Sequence, residues 1–283
     1  MKKLLPLLVS FILIFSLTGC SGRLPSPNLS FLRPATTSPA PLPTVRVTFP
    51  EGWNVIETAQ KLEASGVCSA EEFIALTTDS DYLDTLNYTV LEGIAENESI
   101  AFKLEGFVFP DTYEFYEGES AEKALNRFLK NTESRFTAEM KQRADELGMS
   151  ITDVLTLASI IQEEASDPAE MPMVSSVFHN RLNSSAYPRL QSDVTRNYVR
   201  LTLNGSTYLA DSTTDYSLLY DTYECTDLPA GPICNPGINA INAALYPEES
   251  EYYFFFTDAE GKYYYNTDYE THQYQYDTLV RYK

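Results

Sequence analysis

The sequence predicts an α+β protein in which a small strand-led domain precedes a larger mixed one, and three observations carry that expectation. Residues 45–49 alternate in the manner of a strand and are followed by a Pro50-Glu51-Gly52 turn. Ala121, Leu125, Phe128, Leu129, Phe136, Met140 and Leu147 make one apolar stripe at helical spacing, and a second helical pattern covers residues 151–165. Two aromatic runs, residues 252–256 and 262–266, flank Asp258-Ala259-Glu260-Gly261 and read as a β-hairpin. The 283 residues suffice for one large or two modest domains.

The chain starts with Lys2 and Lys3, an uncharged apolar run over residues 4–17, and then Thr18-Gly19-Cys20. This is the layout of a signal peptide, with an apolar core shorter than the roughly 20 residues that span a bilayer. Leu17-Thr18-Gly19-Cys20 resembles a bacterial lipobox, in which Cys20 receives a diacylglycerol and becomes the new N-terminus. An uncleaved N-terminal anchor is the alternative. The formal net charge of −20 argues against nucleic acid as a partner, because a phosphate backbone would be repelled. Losing Lys2 and Lys3 makes the mature chain more acidic still, so acyl chains rather than anionic lipids would hold it at a membrane. Residues 21–43 are rich in Pro, Ser and Thr and read as an extended tether.

Beyond the first strand, Val55, Ile56, Ala59, Leu62 and Ala64 give helical spacing, and a shorter helix is expected over residues 69–76. Trp53, the chain's one tryptophan, reads as a core residue of the small domain, with stacking on a sugar ring as the alternative. Residues 79–103 carry little periodic signal and are expected to pack across the domain boundary. Residues 105–115 predict a strand that leads into a structured turn. The stripe from Ala121 to Leu147 predicts a long helix or a broken pair, ended by Gly148.

The most informative stretch runs from Ser150 to Tyr198. Ser150 and Asp153 form a capping-box-like helix start. Nearly every residue from Val154 to Ile161 is apolar or small, so the helix is buried on most sides, and Pro168 sets its end. Glu164 extends the stripe of Leu157, Ile160 and Ile161, whereas Glu163 follows Thr156 and Ser159 on a more polar face. The negative end of the helix dipole, a like-charged neighbour and partial burial all favour a protonated Glu164, which is what a general acid requires. The plainer alternative is a solvated acid at a helix end, a description that suits Glu163. A further helix over residues 173–182 turns Val174, Val177, Phe178 and Leu182 inward. Gln191, Asp193 and Asn180 are the polar groups expected to line a cleft beside Glu164, with loop bridging the alternative, above all for Asn180. Residues 228–237, with three prolines and two glycines, predict a stiff loop that shapes a cleft wall. Tyr220, Tyr223 and Asn235 flank it and suit gripping a sugar chain, although both tyrosines suit a core equally. Cys225 and Cys234 bracket this loop and are candidates for a disulfide in an exported chain, leaving Cys68 unpaired. The crowded aromatics of the hairpin suggest two-sided sheet packing before a sugar platform. His179 and His272 have no ligand-spaced neighbours, so no metal site is expected. There is likewise no nucleophile elbow, phosphate-cradling glycine loop or metalloprotease helix.

The block Leu157-Ala158-Ser159-Ile160-Ile161-Gln162-Glu163-Glu164-Ala165, followed by Ser176-Val177-Phe178-His179-Asn180-Arg181-Leu182 and Leu190-Gln191-Ser192-Asp193, resembles the YceG-like family of endolytic murein transglycosylases. Leu104-Glu105-Gly106-Phe107-Val108-Phe109-Pro110-Asp111-Thr112-Tyr113, Tyr220-Asp221-Thr222-Tyr223 and Leu228-Pro229-Ala230-Gly231-Pro232-Ile233-Cys234-Asn235-Pro236-Gly237 agree, in one collinear order over about residues 44 to 275. Gln162 stands where many members carry an acid, Val194 where proline or alanine is common, and Asp221 where asparagine is usual. The resemblance implies a LysM-like subdomain at 44–103 that contacts glycan, and a mixed α/β catalytic domain at 104–283. It aligns the family's catalytic glutamate with Glu164.

It further implies cleavage of the β-1,4 bond between N-acetylmuramic acid and N-acetylglucosamine in peptidoglycan, without water or any cofactor, leaving a 1,6-anhydro end. Ordinary glycosidases need two carboxyl groups; here one would protonate the leaving oxygen and then accept the muramyl C6 hydroxyl proton. The expected partners are glycan strands and the enzymes of cell-wall synthesis, at the outer face of a bacterial cell membrane. The rival readings are a muramidase-type hydrolase using Asp193 as second carboxylate, and a lipid-anchored glycan-binding protein without activity.

Overall fold

The structure is a computed structural model and describes residues 42–94, 96–209 and 213–281. The expected signal segment, the lipobox-like stretch with Cys20 and nearly all of the expected tether lie outside these residues.

Strand β1 (Thr44–Thr48) turns Val47 inward and hands the chain to Phe49. Helix α1 (Val55–Ala64) starts at a reciprocal cap, in which Glu57 N–H donates to Asn54 Oδ1 and Asn54 N–H to Glu57 Oε2, both at 2.9 Å. Helix α2 (Ala70–Thr78) buries Phe73 and Ile74 beneath its Ser69 cap. A short α3 (Ser80–Asp84) and a 3-10 turn at Thr89–Leu91 follow. The region without periodic signal is thus folded through non-periodic burial of Val90, Ile94, Ile100 and Phe102.

Residues 105–115 reverse the expected order: the turn comes first and the strand second. Glu105 N–H donates to Phe102 O at 3.0 Å and Phe107 N–H to Leu104 O at 3.1 Å, with Gly106 at φ 84°. Only after Pro110-Asp111 does β2 (Thr112–Tyr116) extend, because there it meets β1 antiparallel, from Thr48 opposite Thr112 to Thr44 opposite Tyr116. Phe49, Tyr113, Phe115 and Phe128 pack edge-on or tilted behind this ribbon, with centroids 4.5 to 6.2 Å apart.

The long stripe is a broken pair, α4 (Ala121–Arg135) and α5 (Ala138–Leu147). The break lies where Phe136 turns into the core and Thr137 Oγ1 caps the next helix by accepting from Met140 N–H at 3.2 Å. Gly148, at φ 70°, closes α5. Helix α6 (Ile151–Glu164) opens on the expected capping box: Asp153 N–H donates to Ser150 Oγ at 3.1 Å and Ser150 N–H to Asp153 Oδ2 at 2.8 Å. Val154, Leu155, Leu157, Ile160 and Ile161 are each 1% exposed or less. Full burial of such a side chain contributes roughly 1.5–3 kcal/mol, so packing rather than intrinsic propensity holds this helix.

Helix α7 (Met171–Leu182) starts two residues earlier than the pattern indicates, with Pro172 in its first turn. After it come α8 (Asp193–Tyr198), which runs into a π-turn, α9 (Ser217–Tyr220) and α10 (Ile238–Leu245). The predicted hairpin is β3 (Phe254–Thr257) against β4 (Tyr263–Asn266), and α11 (Tyr269–Tyr276) packs on it. α6 lies among α5, α7, α8 and α10. One core runs from Val47 to Leu245, so residues on both sides of position 103 share it.

Two expectations about the proline-rich segment are corrected. It packs under α6 rather than forming a cleft wall: Ile233 N–H donates to Ser159 Oγ at 3.0 Å, and the buried Cys234 Sγ to Ser159 O at 3.5 Å. Cys225 and Cys234 are both free thiols, because burial against α6 commits Cys234 to that helix.

Candidate active site

Glu164 ends α6, and Ala165 leaves helical geometry directly after it at φ −118° and ψ 103°. The Leu190–Asp193 segment comes to the carboxyl from below. Gln191, at φ 54°, turns the chain so that its N–H donates to Thr222 O at 3.2 Å and Ser192 N–H to Thr222 Oγ1 at 2.9 Å. Thr195 Oγ1 donates to Ser192 O at 2.8 Å. Held this way, Ser192 donates its hydroxyl to Glu164 Oε1 at 2.6 Å. Tyr263, from β4, donates to the Glu164 backbone carbonyl at 3.3 Å.

The Glu164 carboxyl is held above the usual carboxylate range. Burial is the main cause, the Asp193 and Glu163 charges add to it, and the Ser192 hydrogen bond opposes it. Since that hydroxyl stabilises the charged form, Ser192→Ala is expected to raise the Glu164 pKa further. An activity that requires the protonated acid should then keep its alkaline limb to higher pH than wild type, and an unmoved limb would show that Ser192 does not tune the acid. Glu163 projects elsewhere: it is exposed, and its carboxylate reaches Gly52, where an added Cβ would lie 2.7 Å from Oε1. Gln162 accepts from Gly237 N–H at 2.9 Å at the start of α10.

Glu164 opens into a cleft of about 650 Å³. Gln191, Asp193 and Tyr223 line it, as do Arg181, Phe254, Tyr269, His272 and Tyr276. Tyr223 donates to Asp193 Oδ1 at 3.1 Å, and burial beside that carboxylate pushes the phenol up to about 12. The Arg196 guanidinium covers the Tyr223 ring at 4.0 Å while pairing with Asp221 at 2.9 Å. Asp221 therefore anchors the arginine that backs the cleft tyrosine.

Three expected site residues are placed elsewhere. Asn180 donates to Ser250 O and Tyr252 O, both at 2.9 Å, and so ties α7 to the approach of β3. Tyr220 is fully buried, and its hydroxyl accepts from Ala101 N–H at 3.0 Å. Asn235, 1% exposed, accepts from Val108 N–H at 2.9 Å and donates to Trp53 O at 2.8 Å and Glu105 Oε1 at 3.3 Å. Each has its polar group occupied by protein. Glu105, also fully buried, accepts from Val55 N–H at 2.9 Å and from the Tyr198 hydroxyl at 3.2 Å, and burial pushes its carboxyl up to about 8. Trp53 is partly buried and packs on the core.

Residue patterns missed other parts of the site. Ser192 stood inside a motif but carried no spacing rule. The β3 aromatics, whose crowding suggests sheet packing, both pack and line the cleft. Helix α11, with its weak amphipathic pattern, gave no signal at all. Among the described residues, no group of three or more His, Cys, Asp or Glu side chains is placed to hold a metal ion.

A carboxyl at a helix end whose pKa burial raises, set in an aromatic-lined cleft beside a hydrogen-bonded second carboxylate, is an arrangement suited to acid–base chemistry on an extended substrate. The chain belongs to the YceG-like family, whose profile matches residues 30–278. It is similar to the endolytic murein transglycosylase of Bacillus subtilis (strain 168), 30% identical over 224 residues that cover 77% of this chain and 60% of that one. The endolytic murein transglycosylase of Streptococcus pneumoniae (serotype 2, strain D39) is 28% identical over 243 residues, covering 80% of this chain and 43% of that one. The chain thus spans about half the length of these relatives. A crystal structure of a yceG-like protein from Listeria monocytogenes superposes with a TM-score of 0.66 at 30% identity, covering 83% of this chain and 76% of that one.

Proposed function

We propose that this chain is an endolytic murein transglycosylase, with Glu164 as its catalytic acid and base. The observation that carries the reading is the Glu164 carboxyl, oriented by Ser192 in an open cleft, with burial shifting it toward its protonated form. Glu164 protonates the oxygen of the β-1,4 bond between N-acetylmuramic acid and N-acetylglucosamine as the bond to muramyl C1 breaks. The muramyl C6 hydroxyl then bonds to C1, and its proton returns to Glu164, which restores the acid. Water is not a reactant, and the new end is 1,6-anhydro-N-acetylmuramic acid. Asp193 and Gln191 orient the strand and Tyr223 supports its rings. With one oxygen accepting from Tyr223, Asp193 suits orientation better than service as a hydrolase's base. Cleavage within strands would terminate nascent glycan chains and bring the protein near cell-wall synthesis enzymes.

The same proposal covers the remaining parts of the chain. β1, α1 and α2 have the strand–helix–helix layout expected of a LysM-like subdomain, with glycan contact as its role. The catalytic part follows it. Cys20 carries the lipid, residues 21–43 form the tether, and the folded part stands at the outer face of the cell membrane. No helix among the described residues is long and apolar enough to cross a membrane.

Purified protein incubated with intact glycan strands in ¹⁸O-water is expected to yield anhydro-muramyl ends without label. Reducing ends carrying ¹⁸O would identify a hydrolase, with Asp193 as second carboxylate, and strands bound but uncut would identify a binding protein. For the anchor, Cys20→Ala is expected to abolish incorporation of a fatty-acid probe in cells; equal labelling of variant and wild type refutes lipidation.

A further inference from the structure

Two cations are buried among the described residues, and they differ in their partners. Lys103 pairs with Glu98 at 3.7 Å. Arg181, 5% exposed, has no carboxylate partner among the described residues, although the chain carries a net charge of −20. An unpaired buried guanidinium is unfavourable unless dipoles or a ligand compensate it. Protein acceptors do so at two of its three nitrogens. Nε donates to Tyr253 O at 2.6 Å, and Nη1 donates to Arg189 O at 2.7 Å and Gln191 Oε1 at 2.9 Å. Its Cζ lies over the Phe254 ring, 4.8 Å from the centroid. Nη2 has no acceptor from the described residues, and Arg181 lines the same cleft as Glu164. No other arginine or lysine lines that cleft, and burial holds His272 toward its neutral form.

We propose that Arg181 anchors a carboxylate of the bound glycan strand, its Nη2 donating to that oxygen from a guanidinium whose Nε and Nη1 are fixed by protein acceptors. The proposal rests on the glycan-strand reading and adds a charge requirement to it. A peptidoglycan strand offers carboxylates from two sources, the lactyl group where no peptide is attached and the stem peptides where one is. The protein's overall negative charge disfavours both, so a single desolvated cation in the cleft selects which part of the strand is bound. A charge-assisted hydrogen bond of this kind is strong enough to decide register.

The test measures binding calorimetrically with Glu164→Gln protein, which should not cut the strand during the titration. The probes are peptide-bearing strands, peptide-stripped strands with free lactyl carboxyls, and both after carbodiimide amidation of their carboxyls. Amidation is expected to weaken binding of at least one strand type by about tenfold or more. This is opposite to the change that relief of global repulsion would cause. A loss confined to stripped strands assigns the lactyl carboxyl, and one confined to peptide-bearing strands assigns the stem peptide. Adding Arg181→Gln should weaken the native strand by a similar factor and the amidated strand by clearly less, whereas a purely structural arginine would weaken both alike. If that double variant does not fold, the comparison of native and amidated strands still decides. Equal affinity for the two overturns the anchor alone when wild-type protein still forms anhydro ends. Absence of all binding and cleavage overturns the anchor and the transglycosylase reading together.

Discussion

Glu164→Gln is expected to lower turnover by about 10²–10⁴-fold or more while the fold survives. Glutamine keeps the shape and still accepts from Ser192, but it has no proton to give to the leaving oxygen. The lower figure applies to one proton transfer; serving both half-steps with the same group places the loss at or beyond the upper figure. Glu163→Gln should keep most activity, because that carboxylate faces Gly52 rather than the cleft. Steady-state rates of both variants on isolated strands check this, with circular dichroism to confirm folding. Stability carries a second signature. Because burial raises the Glu164 pKa in the fold, its contribution to stability is full below the ordinary carboxylate pKa and is lost as pH rises through the raised value. Near neutral pH the glutamine variant should therefore be at least as stable as wild type. A strongly destabilised Glu164→Gln would mark the carboxylate as structural.

Gly106→Ala is expected to destabilise the protein by roughly 2–5 kcal/mol, combining a left-handed backbone with overpacking. Gly106 sits at φ 84°, and an added Cβ would lie 2.6 Å from Cβ and Cγ of Pro232. Neither neighbour yields easily. The proline ring is rigid, and its loop is fixed by the Ile233 and Asn235 hydrogen bonds. For a fold of this size the melting temperature should fall by about 5–15 °C. Gly148→Ala is the control: its φ is 70° but an added Cβ meets nothing within 4 Å, so only about 1–2 kcal/mol of backbone strain is expected. Equal losses at the two glycines would show that contact with Pro232 contributes nothing.

Where the signal in the chain was periodic, it was legible. The cap and buried stripe of α6, the end of α5 at Gly148, the antiparallel hairpin and the inward faces of α1 and α7 all follow from local spacing. So does the separation of Glu164 from Glu163, because a helix turns neighbours about 100° apart. The strand expected before the turn at residues 105–115 failed for a nonlocal reason. Pairing needs a partner, and β1 is reached only after Asp111.

Local chemistry by itself determined the acid at the end of α6, its neighbours along the helix and the α+β character of the chain. Tertiary structure alone decided which polar groups reach that acid. Asn180, Tyr220 and Asn235 have the right chemistry for a glycan site, yet each is hydrogen-bonded to protein groups distant in sequence. Ser192, Arg181 and the aromatics of β3 and α11 enter the cleft because α6, α7 and the hairpin converge there, a fact with no sequence period. Helical spacing is a property of the nearest few residues, whereas burial and partner choice belong to the whole packed core.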